Sequence, residues 1–133
     1  REEKGGTYGV GVSFNLEKDA LPNALLRITY KSDPKRYEEL NPIIYQQLQN
    51  IADKGPLASS MDMVKKYLKK QYQQMIITND YWSYVIWHEL DDDADFDKDY
   101  YKMVDSLTSE EVQQMAQTLL KQNHRIEVTM LSE

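Results

Sequence analysis

The chain of 133 residues is long enough for one ordinary domain, and its 41% hydrophobic and 29% charged residues are typical of a folded rather than a disordered protein. Its formal net charge of −6 argues against nucleic acid as the main partner, because phosphate binding needs a basic surface. The sequence has no cysteine, which excludes disulfides, thiolate zinc sites and a Cys nucleophile, and no apolar run approaches the roughly 18 residues of a membrane helix. The lack of cysteine fits the cytosol and the bacterial periplasm alike, so the compartment stays open.

Two alternating segments near the start of the chain predict two strands. From Tyr8 to Phe14, large apolar residues alternate with glycine and serine, and a second alternating run covers Leu25 to Tyr30. A turn containing Pro22 separates them. Each strand is therefore expected to have one apolar face.

Helices are predicted over most of the remaining chain. Asp33 before Pro34 is typical of a helix start, and the apolar stripe that follows ends at Gly55 and Pro56. A second helix is expected from Ser59 or Ser60. The segment from Thr78 to Asp80 either interrupts this second helix or caps a new one that runs through Leu90.

The last third of the chain predicts two more helical segments and a closing strand. A short helical piece is expected near Tyr100, and Thr108 with Glu111 forms the pattern of a capping box for the next helix. Residues 125–131 alternate again, with Ile126, Val128 and Met130 on one side. The predicted order is β-β-α-α-α-α-β, an α+β fold with an antiparallel sheet covered on one face by helices.

Two patterns suggest metal chemistry and then fail on spacing. An EF-hand read from Asp91, Asp93 or Asp95 lacks the required glycine at position six and the acid at position twelve, so a solvated loop that caps the next helix is favoured. His88 and Glu89 resemble half of a zinc-protease signature, but the second histidine that it needs is replaced by Asp92. We therefore expect His88 to pack on a partly buried helix beside its tryptophan neighbour.

One further cluster is basic. Four lysines lie within one and a half turns of the second predicted helix, and in an acidic protein such a patch is usually the solvated side of a helix. They are Lys65, Lys66, Lys69 and Lys70.

The opening segment is the strongest candidate for a binding site. Lys4, Gly5 and Gly6 are typical of a helix end, and Arg1 would be favourable at the negative end of that helix. The alternative is functional: a guanidinium can grip a peptide carbonyl and the Tyr8 hydroxyl can stabilise a developing oxyanion.

The order of these elements resembles a known family. The run Arg1-Glu-Glu-Lys-Gly-Gly-Thr-Tyr8-Gly-Val is similar to the Arg/Tyr segment in the C-terminal half of the insulinase/pitrilysin zinc peptidases. The passage through Gly55 and Pro56 into a Lys-containing helix, and the closing Leu-Thr-x-Glu helix and strand from Leu107, continue the resemblance. It thus covers nearly the whole chain.

The resemblance implies that residues 1–133 are the later part of a C-terminal, substrate-binding domain of a zinc-dependent metalloendopeptidase. Tyr8 would bind the scissile carbonyl or its oxyanion, and Arg1 a neighbouring carbonyl of the peptide substrate. Gly9 and Gly11 would let another backbone approach the strand. Zinc would be held by the N-terminal half, of the same or a partner chain, and not by these residues.

The sequence also departs from the family pattern. It contains no inverted zinc motif, so these residues are expected not to cleave peptides alone, and the chain is expected to be a fragment of a longer polypeptide. An incomplete half-domain would have an open sheet edge, through which homo-oligomers are expected. The rival interpretations are a non-catalytic insulinase-like scaffold subunit and an unrelated α+β binding domain.

Overall fold

The computed structural model describes residues 7–17 and 23–130, which form two strands followed by five helices. Strands β1 (Thr7–Glu17) and β2 (Asn23–Ser32) pair antiparallel. The helices are α1 (Tyr37–Lys54), α2 (Ala58–Met75), α3 (Asn79–Asp92), α4 (Tyr100–Ser106) and α5 (Ser109–Gln122). The predicted α+β class and the antiparallel pairing are confirmed.

The chain divides into two compact units, and the boundary lies inside α1. Of the described residues, one unit contains 7–17, 23–47 and 125–130, and the other contains 48–124. The first therefore holds the strand pair and the start of α1, while the second holds the end of α1 and all other helices.

The β1–β2 ribbon has one apolar and one largely polar face. Val10, Val12 and Phe14 lie opposite Tyr30, Ile28 and Leu26 in the register of the two strands. The β2 members of these pairs are half-buried, and the Tyr30 hydroxyl donates to the Asn41 side chain at the start of α1. The β1 members are more open: Val12 is 65% exposed.

The predicted closing strand is not formed by residues 125–130, which is a correction to the predicted element order. Ile126, Val128 and Met130 are 91%, 81% and 92% exposed, so their alternation marks an apolar side that no described residue covers. A strand needs a partner edge as well as alternation. Here side-chain contacts hold this segment instead, because Glu127 accepts a hydrogen bond of 2.8 Å from the Tyr45 hydroxyl of α1.

The segment from Thr78 to Asp80 caps a new helix, so the described residues form five helices where the predicted order has four. The Thr78 side chain accepts from the Tyr81 amide at 3.4 Å, and its own hydroxyl donates to the Met75 carbonyl. One threonine thus closes α2 and opens α3. The capping box at Thr108 and Glu111 is confirmed, with both reciprocal hydrogen bonds present.

Helix α1 ends where the sequence predicts, for two physical reasons. Gly55 has φ of 73°, a left-handed conformation that glycine adopts without a steric penalty. A Cβ at this position would also approach Ser109 Oγ to 2.9 Å. The tight approach exists because the first turns of α5 pack against the end of α1.

Helix α5 supplies hydrogen-bond donors to the open carbonyls at the end of α1. Gln117 Nε2 donates to the Ala52 carbonyl at 2.7 Å, and Gln113 Nε2 donates to the carbonyls of Ala52 and Asp53. The last carbonyls of a helix have no partner within the helix, so these glutamines satisfy groups that would otherwise cost free energy where buried. Ala52 itself is only 2% exposed.

Few hydrophobic side chains are fully buried. Among the described residues they are Leu40 in the first unit and Ala52, Val85 and Val104 in the second. Much larger apolar side chains remain at the surface of both units. None of the described helices combines the length and the apolar character needed to cross a lipid bilayer.

Candidate functional site

Tyr8, the residue proposed from the sequence to act on a peptide carbonyl, lies at an irregular point of β1. Thr7 pairs with Ser32 and Val10 pairs with Tyr30. Between these two pairs β1 has two residues, whereas β2 has one. One extra residue is therefore accommodated at Tyr8 and Gly9, which is a β-bulge. The Tyr8 side chain, Arg1 and the predicted helix end at Lys4 to Gly6 lie outside what the structure describes.

The two glycines that follow Tyr8 differ in what surrounds them. A Cβ at Gly9 would meet no described heavy atom within 4 Å, whereas one at Gly11 would approach Thr29 Oγ1 to 3.0 Å. Gly11 is thus explained by its cross-strand neighbour on β2.

The β1–β2 ribbon offers two surfaces that a peptide or another strand can use. Within the described residues each strand pairs with one neighbour, which leaves one edge of β1 and one edge of β2 without a strand partner. Phe14 and Val10 are 41% and 48% exposed on the apolar face. Open edges and exposed apolar side chains are the two features used in β-strand addition.

A polar network in the first unit lies next to the ribbon. Glu127 accepts from Tyr45, Asn41 Nδ2 lies 3.5 Å from the same carboxylate, and Arg125 lies 4.7 Å from the centre of the Tyr45 ring. Burial and the Glu127 carboxylate raise the pKa of the Tyr45 hydroxyl. Together with Tyr37, these residues line a depression of about 540 Å³.

The acidic segment after α3 is a structured turn rather than a metal loop. Asp95 Oδ1 accepts the amides of Asp97 and Lys98 at 3.0 and 2.9 Å. Asp97 Oδ1 accepts two phenol hydroxyls, from Tyr72 of α2 and Tyr81 of α3, each at 2.9 Å. The carboxylate thereby ties α2 and α3 to the start of α4.

His88 packs as expected from its position beside Trp87. Its side chain is 18% exposed and its ring lies within 5 Å of Trp87, Tyr84 and Phe96. Its Nδ1 lies 2.5 Å from the Asp92 carboxylate, four residues later on α3. An aromatic environment and one carboxylate explain this histidine without a metal.

No three histidine or acidic side chains in the described part of the chain are arranged to hold a metal ion. The lysine patch of α2 is engaged within its own unit: Lys65 Nζ donates to the Asp105 carbonyl and Lys69 Nζ to the Asp105 carboxylate, at 2.8 and 2.6 Å. Two of the four lysines thus dock α2 onto α4.

The sequence indicated neither the Glu127–Tyr45 bond nor the cluster of tyrosines around Asp97. The only available signal was the count of ten tyrosines, which is generous for 133 residues. Partners 82 and 25 residues apart along the chain leave no local pattern to detect.

Comparisons with family models, curated proteins and solved structures found no match to this chain.

Proposed function

We propose that this chain is the later part of the C-terminal, substrate-binding domain of an insulinase-type zinc metalloendopeptidase. The observation that carries the proposal is Tyr8 in a β-bulge at the start of β1, preceded by Arg1 at the spacing of the family motif. Bulges are frequent next to active sites, where they re-aim a side chain or end strand pairing.

In this proposal Tyr8 and Arg1 bind the substrate main chain. The phenol of Tyr8 donates a hydrogen bond to the scissile carbonyl, and this bond strengthens as the oxygen gains negative charge. A donor aimed at such an oxyanion contributes about 100-fold or more to turnover. Arg1 presents several donors in a planar fork and holds a neighbouring peptide carbonyl.

The space around Gly9 supports a peptide beside Tyr8. A Cβ at this position would contact no described atom within 4 Å, so the described residues leave the face of β1 open there. An extended peptide can then lie against this face, while its main-chain hydrogen bonds form at a strand edge.

The zinc of this family does not fit the described residues of this chain. His88 is enclosed by aromatic rings and paired with Asp92, and no third ligand accompanies it. The proposal therefore assigns the metal to an N-terminal half, of the same or a partner chain. These residues supply substrate contacts only.

The test is peptide hydrolysis by a longer protein that carries this chain together with its zinc-binding half. Tyr8→Phe removes only the hydroxyl, so kcat is expected to fall about 100-fold while KM changes little. Arg1→Ala is expected to raise KM as well, because it removes a contact to the bound peptide. Unchanged turnover with Tyr8→Phe would refute the role of this hydroxyl.

Tyr67→Phe is the matched control, since Tyr67 is 59% exposed on α2 in the other compact unit. It makes the same chemical change and is expected to leave kcat and KM unaltered. An equal loss in both variants would mean that the effect is not specific to Tyr8, which would contradict its proposed role.

The second candidate function is a non-catalytic scaffold subunit of the same family. The observation that favours it is the uncovered apolar face of the ribbon, where Val12 is 65% exposed. The scaffold role would be favoured if the N-terminal half lacks an inverted zinc motif and still forms a stable complex with this chain.

A further inference from the structure

A groove in the helical unit is lined by none of the ribbon residues and plays no part in the proposed peptidase role. It has a volume of about 450 Å³, within the range of binding pockets. We call it the α3–α4 groove. It is lined mainly by the side chains of Met75, Tyr81, Tyr84, Phe96, Tyr100 and Met103.

The groove is wide open to solvent on its α3 and α4 sides. Tyr84 is 51% exposed and Met103 is 50% exposed, although both contribute apolar surface. Methionine and aromatic side chains adapt to different ligand shapes and offer ring faces to cations. Asp80 is the charged residue among the described lining residues.

The wall of the groove that Tyr81 and Tyr100 form is fixed in position. Tyr81 and Tyr72 both donate to the Asp97 carboxylate, and Tyr72 stacks on Tyr100 with ring centres 4.3 Å apart. Two hydroxyls and a stacked ring pair thus hold this wall, which reduces the ordering cost of binding.

The chain segment that forms one side of the groove is strongly acidic. Of the 22 acidic and 16 basic residues in the chain, eight acidic and one basic lie between Asn79 and Asp99. The rest of the chain has fourteen acidic and fifteen basic residues and is almost neutral. The negative charge of the protein is therefore concentrated in the segment that forms one side of the groove.

Acidic and aromatic residues share one stripe along α3. Asp80, Tyr84, Trp87 and Asp91 follow one another at steps of four, three and four residues, which places them on the same face of the helix. Trp87 is 57% exposed, and Asp80 and Asp91 are exposed as well. The two carboxylates are about 16 Å apart along the axis, with the two aromatic rings between them.

We propose that the α3–α4 groove binds an extended, Lys- or Arg-rich peptide segment of a partner protein, with an apolar side chain in the groove and cationic side chains toward Asp80 and Asp91. Side chains of an extended chain alternate in direction, and the chain rises about 3.3 Å per residue, so two cationic residues six positions apart point to the same side and lie about 20 Å apart. The long side chains of lysine and arginine cover the remaining difference from the spacing of the two carboxylates. Acidic partners are disfavoured by like charge, and a segment without apolar residues leaves the groove unfilled.

The experiment measures binding of a fluorescent peptide containing Lys-Ser-Leu-Gly-Leu-Ser-Lys, whose lysines and leucines share one side when extended, to the full chain by anisotropy. Two comparison peptides replace both lysines by glutamate, or both leucines by serine. Each is expected to bind at least about tenfold more weakly. Raising the salt concentration from about 50 to about 500 mM is expected to weaken binding of the basic peptide, because salt screens the exposed charges.

Variants of the protein test whether the peptide binds in the groove. Tyr84→Ala is expected to weaken binding about tenfold, and Asp80→Asn about threefold. Their matched controls are Tyr67→Ala and Asp62→Asn, two exposed residues of α2, which are expected to bind as the unaltered chain does. Far-UV circular dichroism and thermal unfolding of every variant verify that it is folded.

Three results would overturn the proposal: no binding of the basic apolar peptide, equal binding of either comparison peptide, or full affinity in both Tyr84→Ala and Asp80→Asn. The third outcome would locate the peptide elsewhere on the chain. None of them bears on the Tyr8 hydrolysis test, so this inference and the peptidase proposal stand or fall separately.

Discussion

At the scale of single residues, a few side chains act on more than one element at once. Thr78 closes α2 through its hydroxyl proton and opens α3 through its oxygen. Gly55 ends α1 and makes room for Ser109 of α5. Asp97 joins three helical segments through two tyrosine hydroxyls. Local chemistry at these positions therefore has consequences for packing.

Gly55→Ala is predicted to destabilise the protein by at least about 1 kcal/mol. A Cβ at φ of 73° is strained, and at 2.9 Å from Ser109 Oγ it would also push α5 away from α1. Thermal unfolding measures the loss. Gly9→Ala is the matched control, since the space there is open, and it is expected to leave the midpoint nearly unchanged.

Ser109→Ala separates the two causes of that loss. Combined with Gly55→Ala it removes the hydroxyl that the new methyl group would meet and leaves the backbone strain. Ser109→Ala alone measures the cost of losing the hydrogen bond from Ser109 to the Pro56 carbonyl. The double variant is expected to regain part of the thermal stability lost in Gly55→Ala. Full recovery would show that strain at φ of 73° contributes nothing, which would contradict the argument.

Thr108→Ala is predicted to lower the free energy of unfolding by about 1 kcal/mol, the usual cost of losing an N-cap side chain. Thr108 accepts from the Glu111 amide, and the Glu111 carboxylate accepts in return. Thr118→Ala on the same helix is the control, because its hydroxyl only bonds back to the Gln114 carbonyl. Equal losses in both variants would argue against the capping box.

The capping box at Thr108 and Glu111 also predicts that the stability of the fold depends on pH in the acid range. Hydrogen bonds from the Thr108 backbone and side chain lower the pKa of Glu111 below its ordinary value of 4.5. A group with a lowered folded-state pKa stabilises the fold above its unfolded-state pKa and loses this contribution as pH falls through the folded value. Glu111→Gln should therefore reduce the drop in the thermal midpoint below about pH 4.5.

At the scale of elements, hydrogen bonds from side chains to helix ends explain how α1 and α5 associate without a large apolar contact. Ala52 is buried at their junction, and two glutamines of α5 donate to the carbonyls around it. The apolar stripe of α5 predicts an inward face at Val112, Met115 and Leu119, but Val112 and Met115 are 37% and 47% exposed. The glutamines that serve the end of α1 lie on a different side of α5, which the stripe does not predict.

Gln113→Ala and Gln117→Ala are each predicted to lower the free energy of unfolding by about 1 kcal/mol. Both donate to the Ala52 carbonyl, so either can partly replace the other, and the double variant should be worse than additive. Urea unfolding measures the cycle. Gln114→Ala, exposed on the same helix, is the control and is expected to be neutral.

The tyrosine cluster that joins α2, α3 and α4 predicts a dependence on alkaline pH. Burial first, and then the bond to Asp97, raises the pKa of Tyr81 well above its ordinary value of 10.0. A raised folded-state pKa gives stability that is complete below the unfolded-state pKa and is lost as pH rises through the folded value. We expect the unfolding midpoint to fall above about pH 10, and less so in Tyr81→Phe. Phenolate absorbance should show Tyr81 ionising late, and early ionisation would contradict the cluster.

At the scale of the whole molecule, apolar surface remains uncovered in each unit. The first unit exposes the β1 side of the ribbon and the alternating side chains of residues 126–130. The second exposes the aromatic stripe of α3. Exposed apolar patches of this kind are typical of surfaces that bind another chain.

Self-association through the ribbon is predicted for the chain on its own. Sedimentation should detect species heavier than 15.7 kDa, because an open edge and an apolar face invite pairing. Val12→Lys, on the apolar face, is expected to reduce association, whereas Ser13→Lys on the opposite face is expected to have a smaller effect. A stable monomer of 15.7 kDa would contradict this prediction.

The sequence by itself determined the features that depend on neighbouring residues. The alternation of β1 and β2, the end of α1 at Gly55 and the capping box at Thr108 all follow from side chains within four residues of each other. The motif from Arg1 to Tyr8 likewise needs no structure to be noticed, and its proposed role comes from family resemblance.

Only the tertiary structure decided the features that join distant parts of the chain. Residues 125–130 alternate as a strand does, yet whether they pair depends on a partner edge, and here Tyr45 of α1 holds Glu127 instead. The contacts of Asp97 with Tyr72 and Tyr81 likewise bring together residues that have no common local pattern. Local hydrogen bonds and backbone preferences are written in short stretches of sequence, whereas pairing and clustering depend on which surfaces meet.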